Sequence, residues 1–164
     1  MKKQKNRWIM LFCICCNTFC FGGVYAWSAF SGELANYMGW DYSKVTVAYS
    51  IMLMCVALMG LVGGMLLQRF GARKLMIAAG IMWGLGWFAT GMAGSIVMLY
   101  ASFGILAGCA SGFGYNPGVV TAVSWFPDKK GFASGMAVGT CGMASLIVAP
   151  LANFLLTRFN VMTA

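Results

Sequence analysis

Charged residues interrupt this chain only at wide intervals. Four stretches contain no Asp, Glu, Lys or Arg: Trp8–Gly32, Val45–Gln68, Leu75–Pro127 and Gly131–Thr157. A helix that spans a bilayer needs about 20 apolar residues to cross roughly 30 Å. The first, second and fourth stretches each suit one crossing. The third holds 53 residues. As one helix at about 1.5 Å per residue it would be about 80 Å long, so it must turn back. The weakest point is "GMAGS", Gly91–Ser95, where two glycines and a serine disfavour helix. The pattern predicts an all-α, polytopic membrane bundle. Its five helices fall at roughly 8–30, 45–67, 75–93, 97–123 and 132–156.

Composition agrees with a lipid environment. The chain has 164 residues, 61% of them apolar and 9% charged. A soluble domain carries about a quarter charged residues. The net charge of +8 would suggest nucleic acid if the bases formed a stripe. They lie instead in short clusters between apolar runs, the pattern of membrane loops. Placing the N-terminus in the cytoplasm puts Lys2, Lys3, Lys5, Arg7, Arg69, Arg73, Lys74, Lys129 and Lys130 inside. Only Lys44 and Arg158 then lie outside. That bias predicts a multi-pass protein of the cell membrane with a cytoplasmic N-terminus. Asp128, Lys129 and Lys130 become a cytoplasmic turn between the fourth and fifth helices. Pro127 and Gly131 bound that turn.

The first apolar run has a second reading. Lys2–Arg7 with Val24-Tyr25-Ala26 loosely fits a secretory signal and its cleavage site. The run is long for a signal core, and the later loops obey the charge rule with the helix retained. The seven cysteines lie within predicted helices, so a disulfide framework is not expected. Cys13, Cys16 and Cys20 share a helical face. They read as small buried apolar residues rather than as metal ligands. With no histidine and three carboxylates, the usual means of hydrolytic or metal-dependent catalysis are missing. Neither an enzyme nor a cofactor is expected.

Function must then reside in packing and in polar groups within the bilayer. Gly104, Gly108 and Gly112 recur every fourth residue on the fourth helix, and Gly135, Gly139 and Gly142 form a similar ladder on the fifth. Such ladders let helices approach closely. Pro117 cannot donate to the Phe113 carbonyl, which predicts a kink. Asn116 beside it either bonds another helix or lines a wet cavity. Tyr25, Trp27 and Ser28 read either as an interfacial aromatic belt or as an aromatic wall for a small flat ligand.

Three strings carry a family resemblance. "GGMLLQRFGARK", Gly63–Lys74, resembles the loop between the second and third helices of the major facilitator superfamily. Gly64, Leu66, Arg69, Gly71 and Arg73 match its pattern, and Gln68 stands where an acid is usual. "WFPDKKGFASG" after the fourth helix, and "GVYAWSAFS" on the first, resemble the oxalate/formate antiporters, relatives of the monocarboxylate transporters.

The resemblance implies a secondary carrier of small organic anions with twelve helices in two halves that rock about a central site. This chain would then be an N-terminal part, with helix 6 and the C-terminal half as its missing partner. In the family, the cations that hold a dicarboxylate lie on second-half helices. Aromatics on helices 1, 4 and 5 wall the cavity. That carries Tyr25, Trp27, Tyr115, Asn116 and Thr140 over as the substrate cavity. Thr140 stands where the oxalate carrier has an aromatic, which leaves another small monocarboxylate open as substrate. The resemblance makes Gly64, Gln68, Arg69, Gly71, Arg73, Asp128, Lys129 and Lys130 the cytoplasmic gate and turn. The alternative is a non-transporting five-helix assembly or interaction subunit.

Overall fold

A computed structural model describes residues 7–158, and their regular structure is helical throughout. Helix α1, Arg7–Phe21, passes through a 3-10 segment, Gly22–Ala26, into α2, Trp27–Met38. Helix α3 spans Tyr42–Phe70 and α4 spans Ala72–Gly91. A short α5, Ile96–Leu99, leads through a π-helical stretch, Tyr100–Ala107, into α6, Gly108–Trp125. Helix α7 spans Lys130–Arg158. Lys2, Lys3 and Lys5 lie outside the described residues.

Among the described residues, four helical runs are long and apolar enough to cross a membrane: Arg7–Tyr25, Tyr42–Phe70, Ile96–Trp125 and Lys130–Val148. Helix α4, which carries Arg73 and Lys74 in its first turn, is not among them.

The helix ends follow local chemistry. Asp41 caps α3, its carboxylate accepting from the Ser43 amide at 3.1 Å, which satisfies one of the free donors of a helix start. Gly71 divides α3 from α4 at φ +79°, a value that favours glycine. Its amide donates back to the Leu67 carbonyl at 3.0 Å. Ser95 caps α5 by accepting from the Met98 amide. The first helical run continues to Met38, beyond the expected end near residue 30: Ala35 joins the buried cluster of Val24, Trp27, Val45 and Phe103, while Glu33 is exposed. The Gly22–Gly23 pair coincides with the 3-10 break.

Helix α6 is the hub. It packs against α1, α3, α4 and α7, and half of the apolar window of Ile96–Trp125 is buried, against 11% for Tyr42–Phe70. The Gly104, Gly108 and Gly112 ladder makes this possible. A Cβ on Gly108 would lie 2.8 Å from the Cys55 Cβ and 2.9 Å from the Met52 carbonyl oxygen. One on Gly112 would lie 2.9 Å from the Val56 oxygen. Bare backbone therefore sets the α3–α6 spacing. The ladder on α7 differs from expectation. A Cβ on Gly135, Gly139 or Gly142 would meet nothing within 4 Å, so that face packs on no described element. Cys13, Cys16 and Cys20 also correct their reading as buried residues: all three are exposed, and Cys15 is the buried cysteine of α1. Their face of α1 points out of the bundle.

Aromatic rings fill the core between α2, α4 and the π-helical stretch. Trp27 stacks on Phe103 at 3.8 Å with planes 17° apart, and Trp87 meets the same ring edge-on at 5.6 Å. The hydroxyls of Thr90 and Ser102 lie 3.2 Å apart across the α4–π interface, a polar tie between two apolar surfaces.

The bundle has a basic end. Arg7 pairs with Asp128 at 3.4 Å, and Arg73 borders one cavity with Met10 and Ile14 of α1. These contacts gather the starts of α1 and α4 with the turn before α7. At the opposite end the Tyr100 hydroxyl donates to the Lys44 carbonyl at 2.9 Å. Of the described bases, Arg7, Arg69, Arg73, Lys74, Lys129 and Lys130 share the first end, and Lys44 and Arg158 lie at the second.

Candidate functional site

The 3-10 segment brings helix 1 against α7. Gly22 allows it, because a Cβ there would collide with the Cys141 carbonyl and the Ala144 side chain. Three residues on, Tyr25 stands 55% exposed. It lines a cavity of about 80 Å³ with Phe21, Val24, Leu53, Val56, Ser111, Tyr115 and Cys141. Tyr115 enters from α6 and Cys141 from α7. Gly114, beside Tyr115, gives the Phe21 ring its place. The polar groups facing this space are two phenols, one hydroxyl and one thiol. None of the lining residues is charged. The cavity can donate neutral hydrogen bonds to a small polar ligand and offer aromatic walls to its flat faces. It holds no counter-charge for an anion.

A second cavity of about 320 Å³ shares Val24 and Tyr25 with the first. Its remaining walls are Trp27, Ser28, Ser31, Tyr42, Thr46 and Tyr49. Tyr25 therefore stands between two cavities, a small one among α3, α6 and α7 and a larger one between helix 1 and α3.

The other residues singled out from the sequence are placed differently. Trp27 is 4% exposed and stacked on Phe103, so its ring is chiefly core. Asn116 is half-buried and directs its amide at Gly60 of α3, a helix-to-helix position outside both cavities. The Thr140 hydroxyl donates to the Met136 carbonyl of its own helix. Its neighbour Cys141 takes the place in the cavity. Ser111 and Cys141 were not foreseen. Ser111 lies one helical turn before Tyr115, a spacing that shares a face. For Cys141 the only signal was adjacency to Thr140.

At the basic end, Gly64 has open space at its Cβ position, and Gln68, Arg69, Gly71, Arg73, Lys129 and Lys130 are exposed or border solvent. The Arg69 guanidinium lies 5.7 Å from the Phe70 ring. Asp128 is engaged by Arg7, a partner the sequence did not suggest.

An all-α bundle of apolar helices around an uncharged, phenol-lined cavity defines a polytopic membrane protein. Residues 7–163 match the Major Facilitator Superfamily, and the chain belongs to it. It is 36% identical over 143 residues to the uncharacterized MFS-type transporter YhjX of Escherichia coli, covering 87% of this chain and 36% of that protein. It is 32% identical over 152 residues to the oxalate:formate antiporter of Oxalobacter formigenes, covering 92% and 36%. It is 29% identical over 154 residues to monocarboxylate transporter 3 of Mus musculus, covering 93% and 31%. The chain thus spans about a third of the length of these relatives.

Proposed function

We propose that this chain is the N-terminal part of a secondary carrier for small organic anions that works by alternating access, with its N-terminus in the cytoplasm of a cell whose surface membrane it spans. In this reading α4 is also a crossing, which makes five. The observation that carries the proposal is the convergence of Tyr25, Ser111, Tyr115 and Cys141, from the first, fourth and fifth helices of the bundle, on one uncharged cavity. Neutral donors and aromatic walls suit a planar carboxylate, and the names of two relatives, an oxalate:formate antiporter and a monocarboxylate transporter, favour that substrate class. Asn116 and Thr140 act here as support behind the cavity wall.

The missing elements fit a second half. The lining lacks a cation, and the outward glycine face of α7 is open to a partner helix. A second half would supply both the charge and the covering surface. The turn residues Gly64, Gln68, Arg69, Gly71, Arg73, Asp128, Lys129 and Lys130 form the cytoplasmic gate against it.

Uptake of a panel of labelled carboxylates by the full-length carrier tests the reading. Saturable uptake of at least one small carboxylate is expected. The 164-residue chain in liposomes should transport none. Uptake of no carboxylate by the full-length protein would overturn the carrier reading and favour an assembly subunit.

A further inference from the structure

The larger cavity between helix 1 and α3 differs chemically from the small one. Six of its eight lining residues carry hydroxyls: Tyr25, Ser28, Ser31, Tyr42, Thr46 and Tyr49. Two of these hydroxyls have spent their protons. Ser31 donates to the Ser28 carbonyl at 3.3 Å, and Thr46 donates to the Tyr42 carbonyl at 3.0 Å. A hydroxyl has one proton and two lone pairs, so both oxygens present acceptors alone to a ligand. On α3 the positions 42, 46 and 49 are spaced four and three apart and share one face.

Charge sets this end apart from the other. Glu33 and Asp41 lie at this end, on α2 just past Ser31 and immediately before Tyr42. Both are exposed, and among the described residues neither forms an ion pair. The bases at this end are Arg158, at the last residue of α7, and Lys44. Lys44 sits two residues from Tyr42 and from Thr46, which turns it to the opposite side of α3. In a chain of net charge +8, the two carboxylates balance the two bases here, whereas at the other end six described bases face Asp128 alone.

We propose that the cavity binds a partly hydrated monovalent alkali cation. Such ions take oxygen ligands, and a lining of neutral oxygens without a carboxylate in contact suits a single charge better than a divalent ion. Its volume of about 320 Å³ leaves room for retained water. Tyr25, common to both cavities, joins this ion to the carboxylate site. The ion's coupling to carboxylate movement rests on the carrier reading above, whereas the binding site rests on the oxygens alone.

Binding of radiolabelled sodium to the purified chain tests it. Binding should saturate, and unlabelled sodium should compete while choline at equal ionic strength should not. Thr46→Val and Ser31→Ala preserve shape and remove one oxygen each. Each should weaken binding about three- to tenfold. Lys44→Gln should leave it unchanged. If Thr46→Val fails to fold by circular dichroism, Tyr49→Phe reports on the same face. Absence of saturable sodium binding, or equal affinity in the Ser31, Thr46 and Tyr49 variants, overturns the site. Uptake of the same carboxylate panel by the full-length carrier, in sodium and in choline media, separates the two claims. No uptake with sodium binding intact removes the carrier reading alone. Uptake equal in both media removes the coupling.

Discussion

The Asp128 carboxylate lies 3.4 Å from the Arg7 guanidinium, across 121 residues of chain. The same guanidinium lies 5.3 Å from the Phe126 ring and 6.0 Å from Trp8, and those two rings meet edge-on. A cation held over aromatic faces and against a carboxylate is placed by several weak contacts at once. They join the start of α1 to the turn that precedes α7.

Both partners are partly exposed, at 29% and 49%, so the ion pair contributes at most about 1 kcal/mol. Asp128→Asn should therefore lower thermal stability only slightly. Arg7→Ala should cost more, because it also strips the contacts to Phe126 and Trp8. Unfolding of the two variants in detergent, followed by circular dichroism, checks the order. An Asp128→Asn effect larger than that of Arg7→Ala would show the carboxylate to have another essential partner.

The clustering of bases at one end predicts that this end faces the cytoplasm. Lys129→Cys, in a background without native cysteines, should resist an impermeant thiol reagent added outside intact cells and react in inverted vesicles. Lys44→Cys should do the reverse. Reaction of position 129 from outside would invert the topology.

Apolar runs made the bundle legible, since crossing length and charge spacing are strong signals over twenty residues. Irregularities within the runs were not. The 3-10 segment at Gly22–Ala26 and the π-helical stretch at Tyr100–Ala107 leave no periodic trace, because each is short and lies inside a largely apolar run. The first of them carries Tyr25, which lines both cavities, and the second carries Phe103, on which Trp27 stacks in the core. Family resemblance led to Tyr25 and Tyr115, which do meet. Thr140 and Cys141 are adjacent, and only packing decides which of two neighbours faces inward. The two glycine ladders look alike in sequence, yet one is buried and one open, because a ladder records what it can pack against and not whether the partner is present.

That contrast can be measured. Gly108→Ala would set a methyl 2.8 Å from the Cys55 Cβ and 2.9 Å from the Met52 oxygen. Overpacking of this kind costs about 1–3 kcal/mol. Gly139→Ala meets nothing within 4 Å, and replacing a helical glycine by alanine gains about 0.5–1 kcal/mol. Thermal unfolding of the chain should thus fall for the first variant and hold or rise for the second. In the full-length carrier, Gly139→Ala should turn destabilising where another helix covers α7. A neutral Gly108→Ala would mean that α3 and α6 separate easily.

Tyr115 offers the sharpest test of the cavity. It lies on α6 one turn after Ser111 and shares the small cavity with Tyr25 and Cys141. Its ring supplies wall, and its hydroxyl supplies a donor in a lining that has no charge. Tyr115→Phe keeps the ring and removes the donor. If the hydroxyl reaches the substrate, the full-length carrier should bind its carboxylate more weakly by about 0.5–1.5 kcal/mol, or up to about tenfold. Thermal stability should barely change, because the substitution keeps the ring that forms the cavity wall. Cys141→Ala widens the cavity without removing a phenol and should shift preference toward a bulkier carboxylate. Competition assays across the carboxylate panel give both answers. Unchanged affinity in Tyr115→Phe, with unchanged selectivity in Cys141→Ala, would reduce these side chains to packing and move the binding site elsewhere.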